Sequence, residues 1–149
     1  MSKDNLLPYY AAGKIVKGFG RGSKALGIPT ANFPEEVVAQ LPEGFNTGIY
    51  YGWAALEGKI YKMVMSIGWN PFYQNEKKSM EVHILHKFSN DLHGKELKVV
   101  ITGFVRPEAN FDSVDALIAA INNDIKIADE RLDDPKMLEF KSSEFLTNS

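Results

Sequence analysis

TGIYYGWAALEGKIYKMVMSIG, residues 47–68, is the segment that decides the fold. It contains two runs, 47–56 and 59–68, that are rich in β-branched and aromatic residues. Glu57-Gly58 between them is typical of a tight turn, and a turn between two alternating runs predicts an antiparallel β-hairpin. We therefore expect the fold to be built on an antiparallel sheet.

Further strand signals lie on both sides of this hairpin. They are GKIVKG (13–18), MEVHILHKF (80–88) and KELKVVITGFV (95–105). About five or six strands thus precede one long helix and do not alternate with it, which argues against a doubly wound parallel sheet. The order favours an antiparallel barrel or sandwich with a helix packed on the outside.

An amphipathic helix follows the last predicted strand, because apolar residues recur there three and four positions apart. Asp112 or Ser113 can cap its N-terminus, and Pro135 marks its end. A shorter helix is expected over 35–41, with Pro34 at its first position. The apolar positions of the long helix are Val114, Leu117, Ile118, Ile121, Ile125, Ala128 and Leu132.

The composition is that of an ordinary globular domain. The 149 residues predict a single domain over 1–149, with an ordered core over about 8–140 and tails at both ends. A net charge of −2 gives no sign of a nucleic-acid or anionic-membrane partner. The absence of cysteine excludes disulfides, thiolate metal sites and a cysteine nucleophile. Without a long apolar run or a secretory signal, the expected compartment is the cytoplasm.

The segment GFGRGSKALGIPTANF (18–33) combines four glycines with the cations Arg21 and Lys24. Glycines let backbone amides approach a phosphate, and cations supply the opposite charge. The spacing is not that of a Walker A loop, and Ser23 stands where the dinucleotide fingerprint needs a third glycine. On glycine spacing alone, a turn between strands is modestly favoured over a phosphate site.

Thr30 and Asn32 change that balance. Pro29 and Pro34 restrict the residues before them to extended conformations, and residues two apart in an extended segment face the same side. A hydroxyl and an amide oxygen presented together suit Mg²⁺, but both are neutral, so ATP phosphates would have to complete the shell. A metal site and an ordinary loop are about equally supported by this pattern.

Glu81 is the candidate general base. Strict alternation places Met80, Val82 and Ile84 on one face of its strand, and Glu81 and His83 on the other. A carboxylate among apolar neighbours in the mouth of a barrel can take a proton from a substrate. An exposed glutamate on a solvated strand face is the commoner alternative.

The three histidines His83, His86 and His93 lack the spacings typical of zinc sites. His86 and His93 could flank a nucleotide base, although surface positions are equally compatible with the sequence. Arg106 and Phe111 belong to the joint between the last strand and the helix, where loops often carry ligand contacts. Phe111 could stack on a planar ligand, but locally a hydrophobic staple for the helix is preferred.

Taken together, these segments resemble the riboflavin kinases of the eukaryotic, monofunctional type. The resemblance covers about residues 8–138, nearly the whole chain. Any one of its motifs would be weak evidence, and their combination is highly specific. The motifs are GFGRGSKALGIPTANFP (18–34), TGIYYGWA (47–54), SIGWNP (66–71), KKSMEVHI (77–84), RPE (106–108) and NFD (110–112).

The resemblance implies a mostly β fold, a closed six-stranded antiparallel Greek-key barrel with a C-terminal helix packed outside. It implies transfer of the ATP γ-phosphate to the 5′-hydroxyl of riboflavin, giving FMN and ADP. The implied cofactor is Mg²⁺ bound with ATP, with Zn²⁺ or Mn²⁺ as alternatives, and the implied state is a monomer. Bacterial relatives carry a fused adenylyltransferase, and this chain has no room for one, so FAD synthesis is not expected.

The resemblance also assigns site residues. Glu81 would take the proton from the ribityl 5′-hydroxyl, and Thr30 and Asn32 would hold the metal. The implied ATP-binding residues are Gly18, Lys24, Thr30, Ile84, His86 and His93. The implied flavin-binding residues are Arg106, Ala109 and Phe111. A flavin- or nucleotide-binding barrel without chemistry, and a structural domain with unused glycines, are the competing hypotheses.

Overall fold

The computed structural model describes residues 6–16, 30–42, 44–69, 78–86 and 92–147. All six described strands precede the long helix, as the sequence predicts, and only one short described helix lies between strands. The strands are β1 Tyr9–Lys14, β2 Thr30–Asn32, β3 Gly48–Leu56, β4 Lys59–Trp69, β5 Lys78–Ile84 and β6 Glu96–Pro107. The helices are α1 Glu35–Val38, α2 Val114–Arg131, α3 Pro135–Lys141 and α4 Glu144–Thr147.

All neighbouring strands pair antiparallel, in the order β1-β6-β3-β4-β5-β2. The sheet curls until its two edges meet. Val16, two residues beyond β1, forms a bridge with Asn32 of β2, and the Val16 amide donates to the Asn32 carbonyl oxygen at 2.9 Å. This confirms a mostly β, six-stranded antiparallel fold, closed between the described residues of its edges by that bridge.

The hairpin predicted from residues 47–68 is confirmed. β3 and β4 pair from Gly48 opposite Ile67 to Leu56 opposite Lys59. Glu57 and Gly58 adopt φ values of 51° and 80°. Two central residues with positive φ are what a two-residue hairpin loop of the type I′ class requires.

The sheet has an apolar interior and a second apolar cluster on its outer face. Trp53 belongs to the outer cluster, is 2% exposed, and donates its indole N–H to the Met137 carbonyl oxygen at 2.8 Å. Helices α2, α3 and α4 thus pack on the outside of the curled sheet, whereas Val37 of α1 belongs to the interior cluster. The interior cluster includes Tyr50, Met63, Met65, Ile67, Met80, Val82, Ile84, Leu97, Val99 and Ile101. The outer cluster includes Tyr51, Trp53, Val64, Val100, Ala128, Leu132 and Leu146.

Several predicted boundaries are wrong. The strand predicted over 13–18 is β1, which begins four residues earlier because Tyr9 pairs with Ile101 of β6; residues 17 and 18 lie outside the described part. The predicted short helix over 35–41 ends at Val38. Local patterns did not reveal where the partner strand begins and ends.

The C-terminal region is also more structured than the sequence pattern indicates. The long helix begins at Val114, with the Ser113 hydroxyl accepting the Ala116 amide, and ends at Arg131. Pro135 then begins α3 at a position where its missing N–H costs nothing. Leu146, in a segment expected to be a tail, is 5% exposed and packs in the outer cluster.

Gly52 is required by the close approach of β6. The β3–β6 ladder shifts register between Tyr51 and Gly52, and a Cβ on Gly52 would overlap the Val100 carbonyl oxygen. We expect Gly52→Ala to lower the free energy of unfolding by at least about 2 kcal/mol. Chemical denaturation measures this change.

Gly44→Ala is the matched control. A Cβ on Gly44 would meet only the Leu6 Cδ1 methyl group, at 3.4 Å. The expected change in unfolding free energy is below about 0.5 kcal/mol. Equal effects of the two substitutions would contradict the steric account of Gly52.

Candidate active site

Glu81 is buried on the outer face of the sheet. Its neighbours Met80 and Val82 belong to the interior cluster, as the predicted alternation requires. Glu81 itself is 6% exposed and lines a cavity of about 640 Å³. The solvated-face alternative is therefore wrong. The position in a barrel mouth is also wrong, because the cavity lies between the outside of the sheet and α2.

One row of paired residues crosses five strands, and four of its five members line this cavity. Arg106 of β6 pairs with Ile49 of β3, and Ile49 pairs with Ser66 of β4. Ser66 pairs with Glu81 of β5, and Glu81 pairs with Asn32 of β2. We call Arg106, Ile49, Ser66, Glu81 and Asn32 the cross-sheet row. Since neighbouring strands are about 4.8 Å apart, the row brings together residues that are distant in sequence.

The cavity has a polar and an apolar part. On the sheet side, the cavity is lined by Glu81 together with Ser66 and Ser79, which provide hydroxyl groups. Across from them, α2 contributes Leu117 and Ile121. The loop between β6 and α2 completes the wall with Glu108, Ala109, Asn110, Phe111, Asp112 and Ser113. A small amphipathic molecule fits both the size and the polarity of such a cavity.

His83 contacts Glu81 within the cavity. Its Nε2 atom lies 3.3 Å from Glu81 Oε1, and each side chain is 8% exposed. His83 Nδ1 has no hydrogen-bond partner within the described ranges. The sequence prediction placed His83 on the same strand face as Glu81 but assigned it no role; the two-residue spacing was the available signal.

Asn32 lies at the end of the cross-sheet row. Its side chain is 3% exposed, and its Oδ1 atom has no partner in the part of the chain that the structure describes. Thr30, two residues earlier in β2, pairs with His83. The predicted extended conformation of this segment is confirmed. No group of three or more His, Asp or Glu residues within the described ranges could hold a metal ion, so other ligands would have to complete a shell around Asn32.

Arg106 is fixed by an ion pair with α2. Its Nε and Nη2 atoms donate to the two carboxylate oxygens of Asp124, each at 2.8 Å. Asp124 is only 2% exposed. The Phe111 ring lies over the guanidinium, 5.5 Å from Cζ to the ring centroid. This contact, and the cap by Ser113, do not support the staple for which Phe111 was preferred on local grounds.

The sequence prediction missed Asp124. It lies three residues after Ile121 and one before Ile125, on the apolar stripe of α2. A charged residue on such a stripe is buried only when it is paired, and that was the available signal. The partner could not be read from the sequence, because Arg106 is eighteen residues away on another element.

The remaining predicted site residues are dispersed. Ile84 is 1% exposed and its side chain lies in the interior cluster, so only its backbone faces outward. His86 and His93 are exposed, and the His86 ring packs on Tyr61 with centroids 4.7 Å apart. None of these three residues lines the cavity. Gly18 and Lys24 lie outside the described residues.

None of the described helices is both long enough and apolar enough to span a bilayer.

Comparison with known proteins gives a consistent picture. The sequence model of the flavokinase family, described as riboflavin kinase, matches residues 6–132. The chain is 58% identical over 140 residues to a riboflavin kinase of Homo sapiens, covering 93% of this chain and 90% of that protein. It is 47% identical over 141 residues to a bifunctional riboflavin kinase/FMN phosphatase of Arabidopsis thaliana, covering 94% of this chain and 37% of that protein.

A solved structure agrees with the sequence comparisons. The crystal structure of riboflavin kinase from Trypanosoma brucei superposes with a TM-score of 0.75 at 25% sequence identity. The superposition covers 95% of this chain and 88% of that one. The overall fold is thus shared with a solved riboflavin kinase.

The Arg106–Asp124 pair predicts an asymmetric effect on stability. Arg106→Gln leaves the Asp124 carboxylate buried without its partner, and we expect a loss of about 3–5 kcal/mol in unfolding free energy. Asp124→Asn leaves a guanidinium whose side chain is 25% exposed and can be hydrated, so the expected loss is about 1–3 kcal/mol. Guanidinium unfolding of both variants measures the difference, and a larger loss for Asp124→Asn would contradict this account.

Proposed function

Because this chain belongs to the riboflavin kinase family and has that family's activity, we propose that Glu81 is the general base that takes the proton of the riboflavin 5′-hydroxyl. The observation that carries the proposal is the position of Glu81. It is a buried carboxylate in the cross-sheet row, between the Ser66 position and the Asn32 position. A general base must lie within reach of the proton it removes and be partly protected from water.

The cavity supports a defined orientation of riboflavin. We place the flat isoalloxazine ring beside the apolar side chains of α2 and the Phe111 ring, with Arg106 and Ala109 at its border. The ribityl chain then runs along Ser66 and Ser79, whose hydroxyls can both donate and accept hydrogen bonds. This orientation brings the terminal hydroxyl to Glu81. Apolar and polar parts of the ligand thus meet matching parts of the wall.

The reaction moves one proton and one phosphoryl group. Glu81 accepts the proton of the 5′-hydroxyl as the hydroxyl oxygen attacks the γ-phosphorus of ATP. A new oxygen–phosphorus bond forms, and the bond from the γ-phosphorus to the oxygen bridging it to the β-phosphate breaks. ADP leaves with that bonding pair. Catalysis of this kind depends mainly on positioning and on stabilisation of phosphate charge.

Asn32 is the described residue that fits a metal ligand. Its buried Oδ1 atom lacks a partner within the described ranges, and a buried amide oxygen is normally paired. We propose that Thr30 and Asn32 hold Mg²⁺ together with the ATP phosphates, because two neutral ligands are too weak alone. When bound, the metal neutralises phosphate charge and orients the nucleotide. Zn²⁺ and Mn²⁺ are the alternatives to compare in the assay.

The nucleotide is placed beyond Asn32, at the edge of the sheet opposite to Arg106. We propose that Gly18 and Lys24 contact its phosphates, and that the backbone at Ile84 with the side chains of His86 and His93 borders it. In this arrangement, ATP and riboflavin approach Glu81 from opposite ends of the cross-sheet row. FMN, and not FAD, is the expected product.

Replacement of Glu81 tests the proposal directly. We expect wild type to form FMN from riboflavin and Mg-ATP, and Glu81→Gln to lower kcat by about 10²- to 10⁴-fold, since the amide cannot accept the proton. FMN and FAD are separated chromatographically and quantified by their fluorescence. The thermal melt of each variant confirms that it is folded.

Glu130→Gln is the matched control, because Glu130 is exposed on α2 and undergoes the same chemical change. Its kcat should equal that of wild type. A folded wild type that binds riboflavin and yields no FMN would show a binding protein without chemistry. Equal rates for wild type and Glu81→Gln would remove only the role of Glu81.

The metal site makes a separate prediction. Calorimetry should show no saturable binding of Mg²⁺ alone at about 1 mM, and clear binding of Mg-ADP, because neutral ligands need the phosphates. We expect Asn32→Leu to weaken Mg-ADP binding by at least about tenfold. ADP binding in the presence of a chelator is the control and should not change. Tight binding of Mg²⁺ to the protein without nucleotide would contradict the assignment.

A further inference from the structure

His83 is a buried histidine that the proposed reaction does not use. Its side chain is 8% exposed, it lines the same cavity as Glu81, and its Nε2 atom lies 3.3 Å from Glu81 Oε1. In the strand register it pairs with Val64 of β4 and Thr30 of β2, two residues along the strands from the cross-sheet row. It is therefore placed to act on the carboxylate rather than on the substrate.

A histidine that served only to fill the wall would be expected to have both ring nitrogens paired. His83 Nδ1 has no partner within the described ranges, and leaving a buried polar atom unpaired destabilises a fold. An apolar side chain would pack beside Val64 without that cost. The arrangement is thus poor for stability, and the paired nitrogen is the one that faces Glu81.

We propose that His83 is a positioning residue that orients the Glu81 carboxylate for proton abstraction. The inference rests on the proposed role of Glu81. In this arrangement the His83 Nε2–H group donates to Glu81 Oε1. The bond holds one carboxylate oxygen and leaves Oε2 facing the cavity, where the 5′-hydroxyl arrives. A distance of 3.3 Å is long for such a bond, and bonds of this kind shorten when the substrate binds.

Three substitutions at His83 separate positioning from packing. The side-chain nitrogen of glutamine reaches the position of Nε2, whereas that of asparagine reaches only the position of Nδ1. We therefore expect His83→Gln to keep kcat within about fivefold of wild type, and His83→Asn and His83→Leu to lower it about 10- to 100-fold. KM for riboflavin and for Mg-ATP should change less than about threefold in all three.

Thermal stability provides a second measurement, because a purely structural role of His83 predicts that His83→Leu melts below wild type. We expect His83→Leu to melt at or above the temperature of wild type, because it removes an unpaired buried nitrogen. The inference is overturned when His83→Asn matches His83→Gln in kcat, or when His83→Leu keeps the wild-type kcat. If His83→Leu does not fold, the comparison of kcat between His83→Gln and His83→Asn is sufficient to test the inference.

A double-mutant cycle distinguishes failure of this inference from failure of the proposed function. In the Glu81→Gln background, His83→Asn should lower kcat less than about twofold further, because the carboxylate it positions is absent. If Glu81→Gln and His83→Asn lower kcat independently, so that their effects multiply, the inference is overturned. A Glu81→Gln variant as active as wild type removes the role of Glu81 itself. If Glu81→Gln loses activity and His83→Asn is fully active, only the inference about His83 is overturned.

Nitrogen chemical shifts give an observation independent of turnover. The chain has three histidines, so ¹⁵N-edited spectra of the free protein can be assigned by substitution of His86 and His93. We expect the His83 Nε2 atom to be protonated. An unprotonated Nε2 could not donate to Glu81 and would overturn the inference.

Discussion

The register of β5 between β4 and β2 is the constraint on which the site depends. Glu81 lies opposite Ser66 on one side and opposite Asn32 on the other, and both pairings are antiparallel. A slip of one residue would turn Glu81 into the apolar interior and bring Met80 to the cavity. The interior positions Met80 and Val82 oppose such a slip, because each is fully buried among apolar side chains. The packing of one face thus determines the chemistry of the other.

The second constraint is the attachment of α2 to the sheet. Asp124 and Arg106 form a two-point ion pair that joins the helix to β6, and α2 then covers the outer face above the cross-sheet row. Lys62 donates to Asp129 and Asp133 at 2.7 Å each, but those carboxylates are 60% and 67% exposed. Exposed pairs contribute little, so the buried pair matters more for the position of the helix. The apolar wall of the cavity depends on this position of the helix, because α2 contributes Leu117 and Ile121 to it.

Much of this arrangement could be predicted from the sequence wherever the signal is local. The hairpin around Glu57 and Gly58, the alternation along β5 and the Ser113 cap all follow from neighbouring residues, and all are confirmed. Local patterns therefore fixed the elements and the faces of their side chains.

What the sequence could not supply is the set of contacts between distant elements. The start of β1 depends on its pairing with β6, and the partner of Asp124 is a residue of another element. The predicted position of Glu81 in the mouth of a barrel was wrong for the same reason. The cavity at Glu81 is formed by the packing of α2 against the outer face of the sheet. The resemblance to a known family could not correct this predicted position, because it indicates which residues form the site but not which of them are in contact.

The two faces of β5 also divide stability from function. On the interior face Met80, Val82 and Ile84 are apolar and buried in the interior cluster, and their packing stabilises the strand. On the outer face, Glu81 and His83 bring two ionisable groups together in a nearly dry wall, with one ring nitrogen unpaired within the described ranges. A single strand can carry such unfavourable groups only when its other face is over-determined by packing. The same holds for the cross-sheet row, because its three other polar residues, Arg106, Ser66 and Asn32, also lie on strands that are held in place by packing inside the sheet.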